Sequence, residues 1–199
     1  MASSIETTST TTTLKNNGNT YLSADTNDVV ALANPLPLTS GGSGFSAANA
    51  VVQIVNVSTG AMATTATAIP WDDTIPQKTE GGEVMTLAIT PKNTNNLLVI
   101  DVVANVSATE GGWKTATALF QDTTANALAV SMGYEDGVAN QTRTAHFRHY
   151  MTAGTTSATT FKVRIGAQTT ETLTFNGNGG SRKYGGVFVS SITITEYSV

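Results

Sequence analysis

From residue 51 to the C-terminus, apolar and polar side chains alternate with a period of two, in short runs that stop at Gly, Asn, Asp or Pro. A strand points successive side chains to opposite faces, so this pattern describes strands with one buried face. No stretch carries the period of an amphipathic helix. VVQIVNV (51–57) closes at Ser58-Thr59-Gly60, and EVMTLAIT (83–90) closes at Pro91. NLLVIDVVANV (96–106) is more continuously apolar, the pattern of a strand covered on both faces. Further strands are expected at 114–121, 125–132, 142–151, 159–165, 171–175 and 187–197. Between them lie Glu110-Gly111-Gly112, Asp136-Gly137 and Asn176-Gly177-Asn178-Gly179-Gly180, which read as turns. Short strands at this spacing make an all-β sandwich or barrel, and the abundance of threonine suits a pleated surface. From residue 69 onward there are about eight, the number in an antiparallel jelly roll.

The first fifty residues are different in kind. A Thr/Ser run from Thr7 to Thr13 is too poor in large apolar side chains to build a core alone. Short strands are expected at Tyr21-Leu22 and Val29–Leu32. Asn34-Pro35-Leu36-Pro37 imposes extended backbone, and Gly41-Gly42-Ser43-Gly44 is a flexible hinge. The expected organisation is an extended attachment segment with a Pro/Gly hinge at 1–45, a connecting strand region at 46–68 and the jelly-roll domain at 69–199.

Several function classes are disfavoured. Charged residues are only 12% of the chain and the net charge is −4, so no basic patch invites nucleic acid or an anionic membrane. There is no cysteine, hence no disulfide and no thiolate metal site. MASSIETTSTTTTL lacks the basic start and apolar core of a secretory signal, and no apolar run reaches the length of a membrane helix. Synthesis in a cytoplasm without membrane insertion is the expectation.

HFRHYM (146–151) holds both histidines. On a strand His146 and His149 point to opposite faces and cannot share one metal ion. Ala145, Phe147, His149 and Met151 form the expected core face, with His149 as a structural histidine whose ring is hydrogen-bonded. His146, Arg148 and Tyr150 share the other face, which is either solvated or packed against a neighbouring subunit. The adjacent carboxylates of Trp71-Asp72-Asp73 diverge on extended chain, so a turn with Asp bonding backbone is favoured over acid–base work. The glycine-rich stretch at 176–180 has no helix after it to complete a phosphate site and reads as a hairpin connection. No nucleophile motif and no paired carboxylates are present, so an enzyme is not expected, and neither is a cofactor or a metal.

Two groups of sequence blocks resemble a known family. ANPLPLTSGGSGFS (33–46) is similar to the Pro-Leu-Pro and Gly-Gly-Thr-Gly linker of bacteriophage tail-fibre proteins, with Ser43 where Thr is usual. IPWDDTIPQKTEGGEVMTLAITPKN (69–93), ALFQDTTANALA (118–129), HYMTAGTTSATTFKVRIG (149–166) and YGGVFVSSITITEY (184–197) resemble, in order, the C-terminal domain of phage fibre and tail-tip proteins. The resemblance implies a trimeric jelly roll like that of tumour necrosis factor, located on the virion. Its N-terminal segment would dock on other virion proteins and its C-terminal domain would bind a host-cell-surface glycan. The same family also implies an alternative: a head-fibre, decoration or tail-tip protein with no essential receptor contact. EGGWKTAT (110–117) and GYEDGVANQTRT (133–144) match nothing in the family, which leaves those loops to carry specificity. Trp113 is either a stacking platform or the first buried residue of a strand. Tyr134, Glu135 and Asp136 are either solvated loop residues or an aromatic-plus-carboxylate sugar site. These four are the candidate ligand-binding residues.

Overall fold

A computed structural model describes residues 49–199 other than Trp113 and Glu135, together with the backbone of four strands that precede them. The chain divides into two compact units, Met1–Ala47 and Ala48–Val199. In the first, β1 (Ser3–Thr7), β2 (Thr11–Asn16), β3 (Asn19–Asp25) and β4 (Val30–Leu32) pair in chain order as an antiparallel sheet. The strands expected near Tyr21 and Val29 are β3 and β4. The hinge at 41–44 lies outside the described residues.

The second unit is an antiparallel jelly-roll sandwich of eight main strands. These are β5 (Val51–Thr59), β7 (Gly82–Ile89), β8 (Leu97–Ala108), β9 (Lys114–Gln121), β10 (Ala129–Tyr134), β11 (Thr142–Thr152), β12 (Thr159–Ala167) and β16 (Ser190–Tyr197). Shorter strands are β6 (Ala63–Thr65), β13 (Leu173–Phe175), β14 (Gly177–Asn178) and β15 (Ser181–Arg182). One sheet runs β10-β9-β12-β7 and the other β5-β16-β8-β11. Among the eight, only β9 and β10 are consecutive strands paired within one sheet; every other step crosses the core, which is what makes the sandwich a jelly roll. The first main strand, β5, lies within the 46–68 stretch that the sequence sets apart as a connecting strand region, and it pairs with β16 along its length.

Alternation places the core. Leu98, Ile100, Val102 and Ala104 of β8, Phe161, Val163 and Ile165 of β12, and Ile192 and Ile194 of β16 are fully buried between the sheets. Each large apolar side chain so buried contributes about 1.5–3 kcal/mol. β8 departs from its expected pattern. Its outward residues Val99, Asp101 and Val103 are half-buried rather than covered, and both faces are buried only from Ala104 to Ala108. There β13 joins the sheet beside Val106–Ala108 and brings β6 with it.

Two buried polar clusters tie loops to this sandwich. At one, the carboxylate of Glu196, with no exposed surface, accepts hydrogen bonds from Gln53 Nε2 (2.5 Å), Asn96 Nδ2 (2.6 Å), Lys92 N (2.8 Å) and Asn93 N (3.4 Å). At the other, Ser190 Oγ donates to Asn176 Oδ1 (2.6 Å) and accepts from Asn105 N (2.9 Å). Asn176 Nδ2 donates to the Thr59 carbonyl (2.7 Å), and Asn105 Nδ2 to that of Val189 (2.7 Å). The segment between Asn176 and Ser190 is thereby held at both ends.

Candidate ligand-binding surfaces

β11 presents the two faces that its alternation predicts. Ala145, Phe147 and Met151 pack against the core, and His149 lies half-buried on the same side. Burial lowers the His149 pKa below its ordinary value, which favours the neutral ring. The hydrogen bonds expected for that ring are not formed with any described residue. The structural placement of His149 therefore rests on packing alone.

On the outer face, Asp101 of β8 stands opposite Arg148 in the β8–β11 register. Its carboxylate accepts from Arg148 Nη2 (2.7 Å) and Nε (2.9 Å), and lies 3.2 Å from His146 Nε2. The hydrogen bond that Arg148 donates to Asp101, with Tyr150 adding to it, raises the Arg148 pKa above its ordinary value. Exposed pairs of this kind add little stability because water screens them; they set the charge pattern of the face. A groove of about 420 Å³ runs along it, lined by Asp101, His146, Arg148, Thr193, Thr195 and Tyr197. Beyond it Tyr150 is 58% exposed, and on β5 Val52 and Ile54 also point outward.

The edge strand β10 exposes a second apolar row. Val130, Met132 and Tyr134 alternate outward, and Met132 and Tyr134 are about half exposed (50% and 51%). β10 pairs only with β9, so its other edge is free of a strand partner among the described residues. A cleft of about 220 Å³ separates β10 from β11, lined in part by Thr115, Tyr134, Arg143 and Thr144.

Of the four residues the sequence singles out, Tyr134 closes β10 opposite Lys114, and Asp136 pairs with Arg143 at 3.4 Å on the surface. Trp113 and Glu135 lie outside the described residues. The two loops that hold these residues run side by side, since a Cβ on Gly111 would overlap the backbone of Gly137. Asp72 behaves as the turn residue expected: it accepts from Thr74 N (2.9 Å) and Thr74 Oγ1 (2.5 Å), and these bonds lower its pKa. The 176–180 stretch is a hairpin connection, with β14 paired to β15. Among the described residues no group of three His, Asp or Glu side chains could hold a metal ion.

A third surface carried no signal in the sequence reading. The loop after β15 forms a short 3-10 turn at Tyr184–Gly186, and Tyr184 is 78% exposed. A groove of about 620 Å³ opens beside it, lined by Thr142, Thr144, Asn178, Lys183, Tyr184 and Phe188.

Strand order and core thus define an all-β jelly-roll domain. The chain belongs to the Pgp3 C-terminal domain family, whose model matches residues 53–198. No curated protein matches the sequence. Among solved structures, the Eiger TNF from S. frugiperda is similar at 8% identity and a TM-score of 0.40, covering 73% of this chain and 93% of that one. The VP2 subviral particle protein of infectious bursal disease virus is similar at 10% identity and a TM-score of 0.37; 93% of this chain is covered, against 46% of that one. Likenesses this distant carry no functional argument. The jelly-roll part of the resemblance seen in the sequence is supported by the strand order, and its virion-fibre part rests on the sequence blocks alone.

Proposed function

We propose that this chain is a surface module of a bacteriophage virion, a homotrimeric jelly roll that binds a host-cell-surface glycan and is attached through residues 1–45. The observation that carries the reading is the outward row Val130, Met132 and Tyr134 on an edge strand. Apolar side chains on an unpaired edge invite association, and a closed ring of identical chains covers such an edge without open-ended growth. A second, different surface suits the other half of a head-to-tail contact: the outer face of the β5-β16-β8-β11 sheet, with Tyr150, Ile54 and the Asp101–Arg148 pair. Three copies would present three identical loop sets to a repetitive glycan and raise avidity without tight single sites. The linker and the family-like sequence blocks support attachment to a particle. The module works by binding, with no catalytic step, cofactor, nucleic acid or membrane insertion.

Light scattering on the eluting peak is expected to give three times the chain mass of 20.6 kDa. Met132→Asp with Tyr134→Asp is expected to release folded monomer. A wild-type monomer at micromolar concentration would overturn the trimer. The structural alternative, a decoration or tail-tip role without receptor contact, is favoured if the trimer forms but antibodies against it leave particle infectivity intact.

A further inference from the structure

We propose that the loop between Asn176 and Ser190 carries a binding site for an acidic saccharide, with Tyr184 as the platform for a sugar ring and Lys183 as the partner of its carboxylate. This site deepens the glycan-binding reading, on which it rests, and borders the end of the 133–144 stretch through Thr142 and Thr144.

The backbone at Tyr184 is the first observation. Its φ is +50°, followed by +61° at Gly185 and +97° at Gly186. Glycine accepts the left-handed region without cost, but a tyrosine there is strained, and strain of this kind persists only where the surroundings impose it. The surroundings do impose it. The Asn176–Ser190–Asn105 network clamps both ends of the loop, and Val187 N donates to the Tyr184 carbonyl at 3.1 Å. Gly60 lies so close beneath that a Cβ there would overlap the Gly186 carbonyl oxygen. A strained tyrosine on a clamped loop is normally explained by burial, yet this ring is among the most exposed in the domain. Phe188 packs against it in a T-shaped pair, with centroids 6.1 Å apart and planes at 71°, while the tyrosine stays exposed.

The chemistry around the ring is the second observation. The adjoining groove is lined by Thr142, Thr144 and Asn178, whose hydroxyl and amide groups match sugar hydroxyls, and by no carboxylate. Its volume lies in the range of small-ligand sites. Lys183, the one cation that lines the groove, makes no ion pair among the described residues. A cation in a groove without carboxylates makes it locally positive in a chain of net charge −4. An aromatic face selects the apolar face of a pyranose, and the Lys183 ammonium selects one that bears a carboxylate.

The test uses the full chain against immobilised sialyllactose, hyaluronan oligosaccharides and uncharged maltooligosaccharides. Binding to at least one acidic sugar is expected, and none to the maltooligosaccharides. Tyr184→Gly removes the ring and relaxes the backbone, so it is expected to weaken binding about tenfold or more while leaving Tm unchanged or raised. Lys183→Gln is expected to abolish the salt dependence of binding. Acidic-sugar binding that survives Tyr184→Gly would overturn this site and leave the adhesin reading standing. Binding to the uncharged sugars alone would overturn the acidic ligand. No binding to any of the three overturns this inference, while the trimer and its place on the virion are judged separately by light scattering and infectivity.

Discussion

The loop at 92–96 and the loop at 176–190 are both tied to the sandwich by buried polar groups, and they differ in what the tie supports. In the first, Lys92 N, Asn93 N and Asn96 Nδ2 all donate to the Glu196 carboxylate, and the loop presents no exposed aromatic ring. In the second, the amides of Asn176 and Asn105 hold a segment whose middle is strained and whose tyrosine faces water. A satisfied buried polar cluster is therefore evidence of structure in both cases. A function is indicated only where such a cluster stabilises something unfavourable and exposed.

The comparison breaks most sharply at Glu196. Glu196→Ala removes the acceptor of four hydrogen bonds, one of them from the buried Asn96 amide, and is expected to cost about 3 kcal/mol, read as a fall in the urea midpoint. Burial alone would raise the Glu196 pKa, but the bonds from Gln53, Asn96 and the backbone of Lys92 and Asn93 outweigh it, and the net shift is downward. A carboxylate depressed on folding contributes stability that is full above its unfolded value and is lost as pH falls through the folded one. The wild type is thus expected to lose more stability between pH 6 and acid pH than Glu196→Gln does. Equal losses would show that the carboxylate is not ionised in the fold.

Asn176→Ala should have the next largest effect, about 2 kcal/mol, because it strands Ser190 Oγ and the Thr59 carbonyl. Unlike the Glu196 change, it should also loosen the Tyr184 loop, visible as faster amide exchange at 182–188. Unchanged exchange there would mean that the clamp does not hold the loop, and the contrast between the two regions would fail.

The smallest effect is expected at His149. Its pKa is lowered by burial, so the fold favours the neutral ring and the unfolded chain binds the proton more readily. Stability from this source is full above the unfolded value and declines as pH falls through it, from about 6.5 downward. His149→Leu keeps the packing and is expected to remove that decline at a cost within about 1 kcal/mol. A titration curve unchanged by the substitution would place the ring in water.

Much of this was legible in the alternation. The strands at 51–57, 83–90, 114–121, 142–151 and 159–165 lie where the period-2 pattern puts them, and the two faces of β11 are sorted as expected. One signal was present and missed. In ITITEY, Glu196 shares the parity of Ile192 and Ile194, so a charged residue stands on the inward side and demands partners. The left-handed Tyr184 had no comparable mark, since Lys-Tyr-Gly-Gly reads as an ordinary turn.

By itself the sequence determined which residues are strand, which face of each strand is apolar and where the turns fall, because all of these depend on neighbours a few positions apart. Only the tertiary structure decided what meets across the jelly roll. Asn105, Asn176 and Ser190 come from different strands and loops, Gly60 sits under Gly186, and Gln53 reaches Glu196 from the far end of the chain. Almost every step between successive main strands crosses the core, so their neighbours are set by sheet order, which a local period does not encode.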